Sequence, residues 1–290
     1  MTETPLAAEL LQLSLRTLLQ KALLHCLSTG WPERLELKER VALSQLQVSE
    51  EFQYQYVSAI AHQLAVTRPV PAATLAPQLA AHLTTGFTPS TARQAGVGAI
   101  AAGLQAQPTA EGGLVLTLSS AGLAAWLQIW EDSPWLTLCP SPISSPPTIA
   151  GNWPLCDRLQ LSLPMLLQWG YARCHSWHQI IRGLPAYAPR SSRPALSTSA
   201  LPPVTQPLLP TVIQAVDQMA ARSGASSVCL RQGYRLAAQI YRCDAGVVQG
   251  QLMRAERASL AWSEATLIAT QAVLACILSN VLGMTPCRHL

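Results

Sequence analysis

The stretch CLRQGYRLAAQIYRCD, residues 229–244, carries three arginines on one face of a predicted helix. Arg231, Arg235 and Arg242 stand at i, i+4 and i+11, which places them within an arc of about 40° at 100° per residue. A planar guanidinium suits bidentate contact with phosphate, and no carboxylate stands between the three. We call them the arginine stripe. The pattern allows either phosphate binding or an ordinary solvated face, and Arg254 and Arg257 would extend the basic patch.

A second candidate stretch is LLQWGYARCHSWHQII, residues 166–181. Arg173 and Trp177 lie four residues apart, so a helix would bring a charge for phosphate beside a ring for an unstacked base. In the alternative interpretation, Arg173 bonds helix ends and the rings belong to the core. Cys174, His175 and His178 raise the question of a metal, but no second ligand cluster has suitable spacing, so we expect none. No base is fixed beside a nucleophile, so we predict no catalytic residue and no cofactor.

Charge is distributed unevenly between the two halves of the 290-residue chain. Residues 1–150 hold seven Lys/Arg against ten Asp/Glu, whereas residues 151–290 hold twelve against five, and all twelve are arginine. Such asymmetry indicates a polyanionic partner for the second half. A modestly basic domain with solvated arginines is the alternative.

The elements that must position these residues follow from periodicity and from turn residues. Ser162 with Pro164 predicts a helix start before the second stretch. Residues 35–46 fit a strand as well as a helix, and the clearest strand is 112–119. Further helices are expected at 52–66, 74–86, 121–130, 162–182, 208–222, 227–243 and 255–283, with a possible break in the last near Ser263.

These elements predict a mainly α fold, in which a small α+β N-terminal domain precedes an all-α helical bundle. The domains are expected at 1–130 and 158–290. A linker rich in Pro and Ser occupies 131–157, and a Pro-rich insertion occupies 185–210. Residues 265–283 are long enough to span a membrane, but polar residues interrupt them, so we expect a buried helix and no membrane. Eight cysteines without a C-x-x-C pair suggest buried thiols and a cytoplasmic location.

The second half resembles the anticodon-binding domain of arginyl-tRNA synthetases, a helical domain named for a D-A-L-R signature. That domain opens with a helix of the type V-Q-Y-A-H-A-R-I-C-S-I, onto which residues 167–177 fall in turn. The identical residues are Gln168, Ala172, Arg173 and Ser176. The family's closing helix ends in a Leu-Gly step followed by a proline, and Leu282, Gly283 and Pro286 keep that ending.

The first half resembles the N-terminal additional domain of the same enzymes. A helix of the form G-D-Y-A-S-N-V-A-x-Q-L-A is matched in spacing by Tyr56, Ser58, Ala61, Gln63, Leu64 and Ala65. Residues 112–119 are similar to the strand G-F-I-N-F-x-L-S. The family's Gly-Asp is replaced by Tyr54-Gln55, and its asparagine, which contacts the tRNA elbow, falls on Val115. These departures put recognition of the elbow in doubt.

The resemblance covers both ends of a synthetase and omits its middle. Between these domains the family places a Rossmann-type catalytic domain with an H-I-G-H-like motif and a lysine-bearing K-M-S-K-like loop. About 25 linker residues stand there in this chain, fewer than one βαβ unit needs, and its only lysines are Lys21 and Lys38. The resemblance therefore implies a non-catalytic protein that binds tRNA or another structured RNA through its basic helical domain. The rival hypothesis is a protein-interaction module that has lost RNA binding, with a protein partner instead.

Overall fold

The computed structural model describes residues 13–30, 43–46, 54–67, 70–86, 95–132, 151–185, 187, 205–222, 225–244, 252, 255 and 257–288. They form two compact units, one of residues 15–126 and one of residues 127–290, to which Leu13 and Ser14 also belong. Most described residues are helical, which confirms the mainly α prediction. The unit boundary lies four residues before the predicted end of the first domain at 130.

The first unit combines helices with a four-stranded antiparallel sheet. The strands lie in the order β1-β2-β4-β3. Their bounds are β1 Leu43–Leu46, β2 Tyr54–Ser58, β3 Leu104–Pro108 and β4 Leu114–Leu118. The helices are α1 Leu15–Gly30, α2 Ile60–Thr67, α3 Ala72–Gly86 and α4 Ala95–Ala102, while α5 Ser120–Asp132 crosses the boundary between the units.

Strand β2 corrects the single helix predicted over 52–66. Burial alternates along Tyr54–Ser58, with a period of two that a helix cannot satisfy. Tyr54 and Tyr56 are buried and stand opposite Leu118 and Leu116 of β4, so these pairs share the core face of the sheet. The helix begins only at Ile60. Pairing with β4 makes residues 54–58 a strand, although the sequence pattern predicted one helix over 52–66.

The pattern at 112–119 was a correct strand prediction, whereas its hairpin partner β3 and helix α4 were not predicted. The turn between β3 and β4 places Gly112 at φ 86°, a left-handed conformation that glycine adopts without a steric penalty. Thr109 closes the turn, because its hydroxyl accepts from the Gly113 N–H at 2.9 Å and its N–H donates to Gly113 O at 2.9 Å.

The second unit is all-α over its described residues. Its helices are α6 Pro154–Leu159, α7 Leu163–Gly183, α8 Leu208–Ala221, α9 Ser226–Asp244 and α10 Arg257–Asn280. The predicted linker 131–157 therefore ends within a helix, because Pro154 occupies the first helical turn, where its missing N–H is no cost. Most of the predicted insertion 185–210 lies outside the described residues, but α8 begins inside it.

Helix α10 is the buried centre of this unit and contacts α7, α8 and α9. It runs without a break through Ser263, whose hydroxyl donates to Ser259 O. Thr266 and Thr270 likewise donate to carbonyls one turn earlier, at 2.9 and 2.7 Å, so buried hydroxyls are satisfied within the helix. Length and hydropathy alone would let 259–280 cross a membrane, yet 89% of its most apolar window is buried in the unit. Such burial is typical of a core helix.

Two glycines allow the helices around α7 to approach closely. A Cβ at Gly170 would lie 3.4 Å from Ala237 Cβ and from Ile240 Cδ1 of α9. A Cβ at Gly233 would lie 3.0 Å from the Leu167 side chain and 3.1 Å from Ile277. Contacts near 3.0 Å are too tight for a Cβ at Gly233 unless its neighbours shift, whereas 3.4 Å at Gly170 is ordinary van der Waals contact that leaves no space for a side chain larger than alanine.

Candidate nucleic-acid interface

Helix α7 begins where the sequence predicts. The Ser162 hydroxyl accepts from the Met165 N–H at 3.4 Å, and Pro164 lies in the first turn. The cap sets the start of the helix that carries Arg173 and Trp177.

Arg173 braces two helices. Its Nε donates to Asp244 Oδ1 at 2.6 Å, Nη2 contacts the same oxygen, and Asp244 is the last residue of α9. The guanidinium also lies 5.7 Å from the centroid of the Trp177 ring. With these contacts, Arg173 joins the middle of α7 to the end of α9. The geometry favours the bracing alternative over a free phosphate ligand.

Trp177 does not face solvent. Only 1% of this residue is exposed, so its ring has no open face on which an RNA base could stack. The prediction that Trp177 belongs to an RNA-facing group disagrees with this placement. Its helical spacing from Arg173 was correct, but Trp177 is buried whereas the Arg173 side chain remains partly exposed.

The arginine stripe occupies the exposed face of α9. Arg231, Arg235 and Arg242 are all exposed, while buried residues such as Leu236 and Ile240 hold the opposite face in the core. Arg242 Nη1 donates to Gln239 Oε1 at 3.4 Å, which restricts the side chain. Arg257 begins α10, and Arg254 lies outside the described residues.

A cleft of about 550 Å³ lies between α6, α8 and α9. Arg235 and Arg242 of the stripe line it, whereas Arg231 does not. A third arginine, Arg158 of α6, lies in the same wall. Among the described residues that line this cavity none is acidic, and we call it the cationic cleft. A volume of this size is ordinary for small-ligand pockets, which run from about 300 to 1,000 Å³.

Two tyrosines of α9 fix the short helix α6 beside the cleft. The Tyr234 hydroxyl accepts from the Leu155 N–H at 3.0 Å, and the Tyr234 ring lies 5.1 Å from Trp153 between centroids. The Arg158 guanidinium lies 5.3 Å from the centroid of Tyr241. Because α6 has only six residues, these contacts rather than its own hydrogen bonds determine its position.

Arg158 is the site residue that the sequence reasoning missed. The available signal was a cation in the short segment P-L-C-D-R-L, which the predicted boundary between linker and helical domain at 157/158 divides. Tyr234 and Tyr241, which flank the stripe on α9, hold α6 and Arg158 beside the cleft. Asp157, adjacent in sequence, is exposed but does not line the cleft.

A separate polar cluster lies inside the bundle around Glu264 of α10, which is fully buried. His178 Nε2 lies 2.8 Å from Glu264 Oε1, and Tyr187 Oη donates to that oxygen at 3.3 Å. Arg182 Nε approaches it at 3.5 Å. These contacts compensate a buried carboxylate and tie α7 to α10. His178 is thus engaged in packing, and within the described residues no group of three or more His, Cys, Asp or Glu could hold a metal.

Two of the described cysteines, Cys174 and Cys229, are thiols of low reactivity. Burial raises the pKa of Cys229 to about 11, and burial together with neighbouring Cys243 raises the pKa of Cys174 above its usual range. A high pKa keeps a thiol protonated and weakly nucleophilic. These two side chains act as small apolar residues at the helix contacts.

Gln168 connects α7 to the segment that follows α10. Its Nε2 donates to Thr285 O, and its Oε1 accepts from the Cys287 N–H, both at 2.8 Å. Gly283, at φ 65°, turns the chain after α10 toward this contact. The first turns of α7 and the segment after the Leu-Gly step are therefore joined directly.

Comparisons with protein families, with curated proteins and with solved structures found no match to this chain.

Proposed function

We propose that this chain binds structured RNA, with tRNA as the first candidate, through the cationic cleft and the neighbouring stripe residue Arg231. The observation that carries the proposal is the cleft itself. Arg158, Arg235 and Arg242 face one cavity that no described acidic residue lines. Uncompensated guanidinium groups on a concave surface attract phosphate and are the main source of affinity for nucleic acid.

The resemblance of the sequence to arginyl-tRNA synthetases motivates the choice of tRNA. The proposal is that the chain keeps the end domains of such an enzyme, including a DALR-type bundle, and binds its ligand without transforming it. The Gln168 contact gives this a structural basis, because it joins the two segments whose residues match the family. Recognition would fall to the basic second unit, since the first domain has lost the Gly-Asp pair of the elbow-reading helix.

The first test is the salt dependence of binding to bulk tRNA, measured by fluorescence anisotropy at 50 and 200 mM salt. Phosphate contacts release counterions, so each contact contributes a slope of about −0.7 to −0.9 in log K against log salt. With three arginines at the cleft, we expect affinity to fall about tenfold or more over this range. Equal affinity at the two salt concentrations, or no binding at micromolar protein, would exclude the proposal.

The second test assigns binding to the cleft. Arg235→Gln and Arg242→Gln should each weaken tRNA binding several-fold and reduce the salt slope by about one contact. Lys21→Gln is the matched control, because it removes one exposed charge from the first unit. An equal loss in the control would show a nonspecific charge effect rather than a site.

The rival function, a protein-interaction module, has a weaker structural basis. Among the described residues, Val66 and Met165 are the large hydrophobic side chains that remain exposed. Isolated exposed hydrophobics are normal for a protein surface and do not mark a docking patch. A pull-down from native extract treated with nuclease separates the two functions, because a partner that survives RNase supports the rival.

A further inference from the structure

The cationic cleft carries more positive charge than is required to neutralise one backbone phosphate. Its three guanidinium groups come from two different helices, α6 and α9. Arg235 and Arg242 lie seven residues apart, about 10 Å along the axis of α9. Arg158 enters from the separate short helix beside Tyr241. A ligand in the cleft can therefore be reached by cations from two helices rather than from α9 alone.

Two of these arginines are held in position before any ligand arrives. Tyr241 lies between two side chains, with the Trp169 ring 5.8 Å away between centroids and the Arg158 guanidinium 5.3 Å from its own centroid. Gln239 accepts from Arg242 at 3.4 Å. Restricting a long side chain in advance lowers the entropy lost on binding. These contacts favour positions of Arg158 and Arg242 beside the cleft.

The chemistry of the ligand follows from the number of donors. A phosphodiester carries one negative charge and two unesterified oxygens, whereas a phosphomonoester carries about −1.5 to −2 and three such oxygens. Guanidinium groups bind phosphate oxygens in pairs through their planar fork. Three arginines with no competing carboxylate match the monoester better. The neutral remainder of the wall, which includes Thr211, Gln214 and Tyr234, suits the sugar and base that such a phosphate carries.

We propose that the cationic cleft is a phosphomonoester site, which accepts the terminal phosphate of a nucleotide or of an RNA strand. The RNA-end form of this inference rests on the proposed function, while the nucleotide form does not. The 550 Å³ cavity is large enough for one nucleotide. The site binds the terminal phosphate of a strand more tightly than the phosphodiesters within the strand.

The experiment uses the full chain and two pairs of probes. The first pair is AMP and adenosine, measured by isothermal titration calorimetry. The second pair is one single-stranded RNA oligonucleotide prepared with a 5′-phosphate and with a 5′-hydroxyl, measured by anisotropy. We expect heat with AMP and none with adenosine. We also expect the 5′-phosphorylated RNA to bind about tenfold more tightly, the effect of roughly one additional charge-assisted hydrogen bond.

Arg158→Gln tests the assignment to the cleft. It should remove AMP binding and the preference for the 5′-phosphate, while Lys21→Gln should preserve both. Arg158→Lys guards against loss of folding, because it keeps a charge but not the fork, and it should retain part of the AMP affinity. Equal far-ultraviolet circular dichroism and equal melting temperatures establish that the variants are folded.

The outcomes separate this inference from the proposed function. AMP binding that Arg158→Gln abolishes, without binding of any RNA, supports the site for free nucleotides and removes the RNA function. Competition between AMP and the 5′-phosphorylated RNA supports one site for both sources. Salt-dependent RNA binding with equal affinity for the two 5′ ends, and no heat with AMP, leaves the RNA function standing and overturns this inference. Equal binding of adenosine and AMP also overturns it.

Discussion

Replacing Arg173 with alanine distinguishes a structural brace from an RNA contact. The residue joins α7 to the end of α9 through Asp244, and it covers Trp177. If it is a brace, Arg173→Ala lowers the free energy of unfolding and leaves the intrinsic affinity for RNA unchanged. If it is a phosphate ligand, the affinity falls and stability changes little.

The size of the expected loss follows from exposure. The Arg173 side chain is 39% exposed and that of Asp244 is 21% exposed, so water screens the pair in part. A fully exposed ion pair is worth about 0–1 kcal/mol and a charge-assisted hydrogen bond about 1.5–3 kcal/mol. We expect about 1–1.5 kcal/mol for the Arg173–Asp244 coupling after screening. The Trp177 contact adds about 0.5 kcal/mol, so Arg173→Ala should cost about 1.5–2 kcal/mol.

A double-mutant cycle measures the coupling directly. Arg173→Ala, Asp244→Ala and the double variant are compared with the wild-type chain by urea unfolding, using shifts of the midpoint at constant m-value. The double variant should lose less than the sum of the single losses, by about 1–1.5 kcal/mol. A coupling below about 0.3 kcal/mol, or a fall in tRNA affinity without loss of stability, would refute the bracing argument.

Three further predictions concern the second unit. Gly170→Leu should cost about 2 kcal/mol by urea unfolding, because its Cβ would already touch Ala237 and Ile240, whereas Gly183→Leu, with nothing within 4 Å of its Cβ, is the control and should be nearly neutral. Glu264→Ala should lower the free energy of unfolding by about 3 kcal/mol or more in the same assay, because buried His178 then lacks this partner. An unchanged stability would contradict the role given to the polar cluster. Burial raises the pKa of Cys229 from 9.0 in the unfolded chain to about 11, so the folded chain holds this proton more tightly. The resulting contribution to the free energy of unfolding is complete below pH 9 and disappears toward pH 11, at up to about 1.4 kcal/mol per pH unit. If a Cys229→Ala variant shows the same dependence of stability on pH as the wild-type chain, this prediction is wrong.

The sequence predicted the fold best where one signal controls an element. Ser162 and Pro164 predicted the start of α7, and the short apolar run after two glycines at 112–119 predicted β4, because caps and short β-rich runs are local signals. The error at 52–66 has a physical cause. Tyr54 and Tyr56 become strand residues because β4 offers them partners, and no local window contains β4. Helices continuous in sequence with a strand are therefore the least certain predictions.

The site was predictable in part for the same reason. Helical spacing placed Arg231, Arg235 and Arg242 correctly on one exposed face. It could not show that only two of them line a cavity, because the opposite wall comes from α6. Nor could spacing show that Trp177 is covered, since burial of an α7 face depends on which helices pack against it. Residue type and helical period predict which residues share one face of a helix. Tertiary contacts determine whether that face is exposed or packed against another element.

The position of α10 in the bundle affects how the second unit is made in the cell. Helices α7, α8 and α9 all pack against α10, and the ribosome synthesises it after the other three. Until α10 is synthesised, the apolar surfaces of α7, α8 and α9 that pack against it have no partner. The core of the bundle can therefore form completely only after the other three helices and α10 are all available.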